Sequence, residues 1–208
     1  MNKSKSLYDL SQIRAIMERS KKYLSLSPWA AIMAGVYAML GAGIAYYKIY
    51  FAPVVLYDQI RQGDIKGPFI GLLLLAISVL VLATGTALWF NYRKASKANE
   101  KLWSKAAIRL AINFAIPMLA GGIFVMVLFL RGYYSLLAPS TLLFYGLALL
   151  NAGNFTFTDI RNLGISEIII GLLAVIFPGK GLFFWTIGFG VLHIIYGVLM
   201  YRKYELGS

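Results

Sequence analysis

Apolar residues in this chain come as long runs, broken by short segments rich in Lys, Arg, Gly and Pro. Uninterrupted apolar runs of about 18 residues or more predict membrane-crossing helices, because hydrocarbon offers no partner to unpaired backbone N–H and C=O groups. Six such spans are expected, at 28–50, 69–90, 108–130, 139–157, 159–177 and 182–201. Local signals set their ends. Ser27 followed by Pro28 is an N-cap and first-turn pair, and Pro68 and Pro139 restart helices after loops. The fifth apolar run, Gly164 to Phe177, is short for a crossing at about 1.5 Å per residue, so its helix is expected to begin near Asp159 with Thr158 as cap. The turn at Pro178-Gly179-Lys180-Gly181 closes a hairpin between the last two spans. Inside the third span, Pro117 removes a backbone donor and should free the carbonyl around Asn113.

Residues 1–27 read differently. Leu10, Ile13 and Met17 lie on one helical stripe, and Lys3, Lys5, Arg14, Arg19, Lys21 and Lys22 outnumber Asp9 and Glu18. A signal peptide would have a brief apolar core and a small-residue cleavage site; this segment predicts a basic amphipathic helix instead. A second basic segment, 91–107, holds Arg93, Lys94, Lys97, Lys101 and Lys105 against Glu100, and reads as a charged extension of the third span. With the N-terminus in the cytoplasm, the inner segments hold fourteen Lys and Arg residues and the outer loops four: Arg61, Lys66, Arg131 and Lys180. That bias places both termini inside. The expected fold is an all-α, polytopic transmembrane helical bundle: six spans within 28–204, an amphipathic helix before them, and a tail at 205–208.

Composition narrows the classes of function. At 60% hydrophobic and 13% charged, the 208 residues exclude an ordinary soluble domain. The absence of Cys removes disulfides, thiolate metal sites and cysteine nucleophiles. A net charge of +12 suggests nucleic acid by itself, but the basic residues flank apolar spans, so anionic lipid head groups are the expected counter-charge and nucleic acid is not an expected partner. Arg14, Arg19, Lys21, Lys22, Arg93, Lys94, Lys97 and Lys101 form the expected surface for lipid or for a cytoplasmic protein partner. Ala31, Gly35, Ala38, Ala42 and Ala45 make a small-residue seam on the first span, suited to close helix contact and compatible with a homo-oligomer.

The candidate chemistry is sparse. Asn113, Asn151, Asn154, Glu167 and His193 are polar residues in the cytoplasmic halves of their spans, near Thr84 and Thr86, and together predict a polar cavity opening inward. Ionisable residues inside a membrane are functional candidates, because their charge must face protein or water. Without such a role, Glu167 would pair with Arg161 or a helix N-terminus, and His193 would be a neutral imidazole bonded to Asn151 or to a hydroxyl such as that of Tyr196. Counted along regular helices, Glu167 and His193 differ in depth by about one and a half turns, so a water or Asn154 would have to bridge them. The two segments Gly164-Ile-Ser-Glu167-Ile-Ile-Ile-Gly171 and Gly190-Val-Leu-His193-Ile-Ile-Tyr-Gly197 share four identities in eight positions. On consecutive antiparallel spans this makes a local inverted repeat, an architecture that transporters place around a central site. One His and no Cys make a protein-built metal site or a haem site an unexpected feature. No mid-span Lys suits a Schiff base, no glycine-rich phosphate loop appears, and no Ser-His-Asp set is visible, so neither a cofactor nor an enzymatic activity is expected.

The stretches IRAIMERSKKYLSLS at 13–27 and FGVLHIIYGVLMYRKY at 189–204 resemble a group of bacterial hypothetical integral membrane proteins of about 200 residues. The resemblance implies a bacterial cytoplasmic membrane and the same multi-pass topology; it implies no activity. Two functional readings follow from the residues. The favoured one is a non-catalytic membrane scaffold or sensor accessory that docks through its basic segments. The alternative is a small proton-linked transporter, in which the five polar residues line an inward-facing cavity.

Overall fold

The computed structural model describes residues 26–48, 67–97 and 104–206. The predicted amphipathic helix, with Arg14, Arg19, Lys21 and Lys22, and also Lys101, lies outside the described residues. Within them the chain is all-helical: α1 (Pro28–Tyr46), α2 (Gly67–Lys97), α3 (Lys105–Leu130), α4 (Leu137–Ala152), α5 (Thr158–Ile176) and α6 (Gly181–Tyr204). Short 3₁₀ turns lead into and out of α4 at Tyr134–Leu136 and Gly153–Phe155. Five segments are long and apolar enough to cross a membrane: α1, α2 from Ile70, α3, the stretch Tyr134–Phe155 containing α4, and α6. α5 departs from that composition because Asp159, Arg161 and Glu167 fall within its 19 residues.

Helix ends follow the local chemistry with three changes. Ser27 stands at the N-cap of α1 with Pro28 after it, but its side chain makes no capping bond; its backbone N–H donates to Asn91 Oδ1 at 2.8 Å. Phe157, not Thr158, is the N-cap of α5, and Thr158 is its first helical residue. The basic segment divides: residues 91–97 continue α2, whereas α3 starts afresh at Lys105, where the Ser104 hydroxyl accepts the Ala107 N–H at 3.1 Å. A strong N-cap there gives α3 its own beginning, so residues 91–97 extend the second helix and not the third.

Neighbouring helices run antiparallel. Along α1 and α2, Ser27 meets Asn91, Tyr37 bonds Thr86 at 3.2 Å and Gly41 faces Val79. α6 lies on the other side of α1, and α5 packs between α4 and α6, with α3 outside α4. The predicted seam on α1 is used: Gly35, Ala38, Ala42 and Ala45 are buried. A Cβ on Gly35 would stand 2.7 Å from the Gly190 carbonyl and from Ile194 Cγ1, and one on Gly146 of α4 would stand 2.7 Å from the Gly164 carbonyl and 2.8 Å from Ile168 Cγ1. Backbones approach this closely only where side chains are absent, which is how helix pairs gain contact where lipid removes the hydrophobic incentive to associate. The outer faces of α2 and α3 expose Leu74, Val81, Leu119 and Ile123, among others.

The first residues of α1 and α5 lie beside the last of α2 and α6. Lys94 Nζ donates to the Leu26 carbonyl at 3.1 Å and to Glu205 at 3.2 Å, and Trp29 meets Tyr201 edge-on. Asp159 accepts from Lys203 at 3.0 Å and from the Tyr204 hydroxyl at 2.6 Å. At the opposite end Phe177 stacks on Phe184, across the turn in which Gly179 adopts φ +85°.

Candidate functional site

The bundle's most buried ionisable groups meet between α5 and α6. Glu167 is 0% exposed and His193 4%. Glu167 Oε1 lies 3.3 Å from His193 Nδ1. That Nδ1 is also 3.0 Å from the Gly188 carbonyl, and Nε2 is 2.8 Å from the Tyr145 hydroxyl on α4. A carbonyl oxygen only accepts, so Nδ1 carries the hydrogen and spends it on Gly188. Nε2 of the neutral ring then accepts from Tyr145, whose ring also lies 5.4 Å from the imidazole, centroid to centroid. His193 is therefore satisfied at both nitrogens. Glu167 is not: the ion-pair distance to Nδ1 is short, but the N–H points elsewhere, and neither Oε1 nor Oε2 has a hydrogen-bond partner among the described residues.

Local backbone chemistry builds this arrangement. Thr186–Leu192 is a π-helical stretch ending at His193, and its looser i→i+5 winding leaves Gly188's carbonyl where the imidazole can reach it. Such π segments recur at functional sites. Gly188 is required for a second reason, since a Cβ there would collide with Glu167 Oε2 and Leu142 Cδ2. Gly164 and Gly171 set α5 directly on α4, which brings Tyr145 within reach of α6.

The direct approach of Glu167 to His193 corrects the expected gap in depth. The Asp159–Lys203–Tyr204 contacts place the start of α5 beside the end of α6 and fix their register. Eight residues along α5 and ten along α6 from that rung then reach nearly the same level, and side chains span the rest. His193 does take a hydroxyl partner, but that of Tyr145, with Gly188 at its other nitrogen, while Asn151 and Tyr196 bond elsewhere. Glu167 does not pair with Arg161, which is exposed with its backbone packed on Gly153.

The asparagines do not join this cluster. Asn151 Nδ2 donates to the Asn113 carbonyl at 3.3 Å, the acceptor that Pro117 leaves without its backbone donor, and Asn113 Nδ2 donates to the Arg109 carbonyl at 2.8 Å. Asn154 is exposed in the turn after α4. Of five polar candidates, the structure brings Glu167 to His193 and Asn113 to Asn151, in two separate places. Tyr145 is the residue that sequence reasoning missed: one of 14 tyrosines, it is marked only by its place in mid-span beside Gly146. Among the basic residues, Lys94 is engaged with Leu26 and Glu205, Arg93 stacks over Trp89 at 5.0 Å, and Lys97 is exposed. Comparison with protein families, with characterised proteins and with solved structures finds no match to this chain.

Proposed function

We propose that the chain is a six-span protein of a bacterial cytoplasmic membrane that links proton movement to transport of a small solute, with Glu167 as the group that takes and releases the proton. One observation carries this reading: a fully buried carboxyl with both oxygens unpartnered among the described residues, held 3.3 Å from an imidazole in the middle of an apolar bundle. A membrane-buried carboxyl without fixed partners is costly to keep, and such groups mark ion and proton pathways. Six crossings are supported by α5 running from the Tyr204 end to the Phe184 end of α6, so that it traverses the same thickness. Orientation is supported by charge. Eight described Lys and Arg residues (Arg93, Lys94, Lys97, Lys105, Arg109, Arg161, Arg202, Lys203) lie at one end, and three (Lys48, Arg131, Lys180) at the other.

The test is proton flux in reconstituted vesicles carrying a pH-sensitive dye and an imposed gradient. Wild-type protein is expected to dissipate the gradient faster than empty vesicles, with Glu167→Gln abolishing and His193→Ala reducing the difference. Flux that survives both substitutions overturns the proposal. The scaffold reading keeps one observation of its own, the exposed basic end, and predicts retention on vesicles containing anionic lipid that depends on Lys97, Arg109 and Arg202.

A further inference from the structure

The helix crossings at Gly35 and at Gly146 are the same object twice. A Cβ on Gly35 would meet Gly190 O at 2.7 Å, Ile194 Cγ1 at 2.7 Å and Ile194 N at 3.0 Å; one on Gly146 would meet Gly164 O at 2.7 Å, Ile168 Cγ1 at 2.8 Å and Ile168 N at 2.9 Å. The agreement continues along both pairs. Gly190 faces Met39 as Gly164 faces Leu150, and Gly197 faces Ile32 as Gly171 faces Leu143. Each α4 residue follows its α1 counterpart by 111 positions (146 against 35, 150 against 39, 143 against 32), and Pro139 follows Pro28 by the same interval, both fully buried. Each α6 residue follows its α5 counterpart by 26 (190 against 164, 194 against 168, 197 against 171). A single correspondence therefore carries the α1–α6 pair onto the α4–α5 pair. It exchanges His193 with Glu167, and these two groups meet where the units join.

The same correspondence assigns Tyr145 a counterpart, Ala34, immediately before Gly35 as Tyr145 is immediately before Gly146. Tyr145 gives its hydroxyl to His193; on the other side the equivalent position is a methyl group with nothing to donate. We infer that Ala34 is the residue that leaves Glu167 unpartnered, and so makes Glu167, not His193, the half of the pair that exchanges a proton. This rests on the proton-linked reading above. His193 acts as a positioning residue, fixed by Tyr145 and Gly188. Among the described residues the helices of this half of the bundle carry few titratable groups near Glu167: α6 brings His193 and Tyr196, and α4 brings Tyr145; Tyr37 of α1 is bonded to Thr86 on α2, Tyr46 stands at the far end of α1, and α5 itself carries Asp159 and Arg161 about two turns away.

The experiment is infrared difference spectroscopy of the full chain in nanodiscs across a pH step, with the Glu167 carboxyl band identified by its loss in Glu167→Gln. Ala34→Tyr is expected to move that band and suppress its response to pH, because the new hydroxyl bonds the carboxyl; Ala34→Phe, of equal bulk without the hydroxyl, is expected to leave its position unchanged. Identical bands in the two variants overturn the inference, and so does a wild-type band that answers to sodium at fixed pH but not to pH. Should Ala34→Tyr fail to fold, the duplication is read from cross-linking. The chain has no native Cys, so Ala34→Cys with Glu167→Cys and Tyr145→Cys with His193→Cys can each be bridged by one short dithiol-reactive linker. Bridging of the second pair alone overturns the equivalence. Vesicle flux separates the two claims: flux indifferent to Glu167→Gln removes the transport reading, whereas Glu167-dependent flux with an unmoved band in Ala34→Tyr removes only the role of Ala34.

Discussion

The Tyr145 hydroxyl and the Gly188 carbonyl hold the two nitrogens of one imidazole, and the cost of losing either is set by what each leaves behind. Tyr145→Phe keeps the ring contacts with Phe114 and Phe189 and removes only the donor to Nε2. A buried acceptor left unsatisfied is expected to cost about 1 kcal/mol in a membrane bundle, read as a small fall in thermal unfolding temperature in detergent. Gly188→Ala removes nothing and adds a methyl group where Glu167 Oε2 and Leu142 Cδ2 already sit. Overpacking of that kind is expected to cost about 1–3 kcal/mol in the same measurement. A Gly188→Ala protein as stable as wild type would show that Glu167 can turn aside. At this scale the sequence was partly readable. Glu167 and His193 stood out because ionisable groups are rare in apolar runs, but Tyr145 did not, since tyrosine is common in membrane helices and its role depends on which helix lies opposite.

Helix pairs are where the glycines divide into those that matter and those that do not. Gly35 and Gly146 each face a backbone carbonyl and an isoleucine, so Ala at either is expected to push the pair apart at a cost of about 1–3 kcal/mol, and nearly equally at the two sites. Among the described residues Gly43 and Gly122 face open space where a Cβ would stand, so Ala there is expected to be neutral or to stabilise by up to about 1 kcal/mol. Melting temperatures of the four variants check both halves of the statement. Pro117 inside α3 allows a sharper test. Because Pro117 withholds the backbone donor from Asn113, Asn151 supplies one from α4. Asn151→Leu is expected to destabilise the native chain by about 1 kcal/mol and to cost much less in a Pro117→Ala background, where the backbone N–H returns. The freed carbonyl was legible from Pro117 alone, as a local rule. Its partner was not, because 38 residues and a turn separate Asn113 from Asn151. The same limit explains the basic segment: charge pattern shows that 91–97 is helical, but not which of two adjoining helices it continues.

For the whole molecule, the arrangement of ends decides how the bundle sits in a bilayer. The apolar pattern made the helices and their order readable, yet the composition of α5 alone would leave its crossing open. The contacts at both of its ends are what tie it to α6. If α5 crosses, both ends of the described chain lie on one face, and the eight basic residues there should be cytoplasmic. If α5 were re-entrant, the end of α6 would move outside with Arg202 and Lys203, against the charge rule. The two arrangements differ at positions a single cysteine can report. Arg131 and Lys180 are exposed at the sparsely charged end, and Lys97 and Lys203 at the basic end. In intact cells a membrane-impermeant maleimide is expected to label Arg131→Cys and Lys180→Cys, and to reach Lys97→Cys and Lys203→Cys only after permeabilisation. Labelling of Lys203→Cys from outside, with Lys97→Cys protected, would make α5 re-entrant. Glu167 would then lie in a hairpin facing one side of the membrane, and a path through the bundle along the Glu167–His193 pair would be lost.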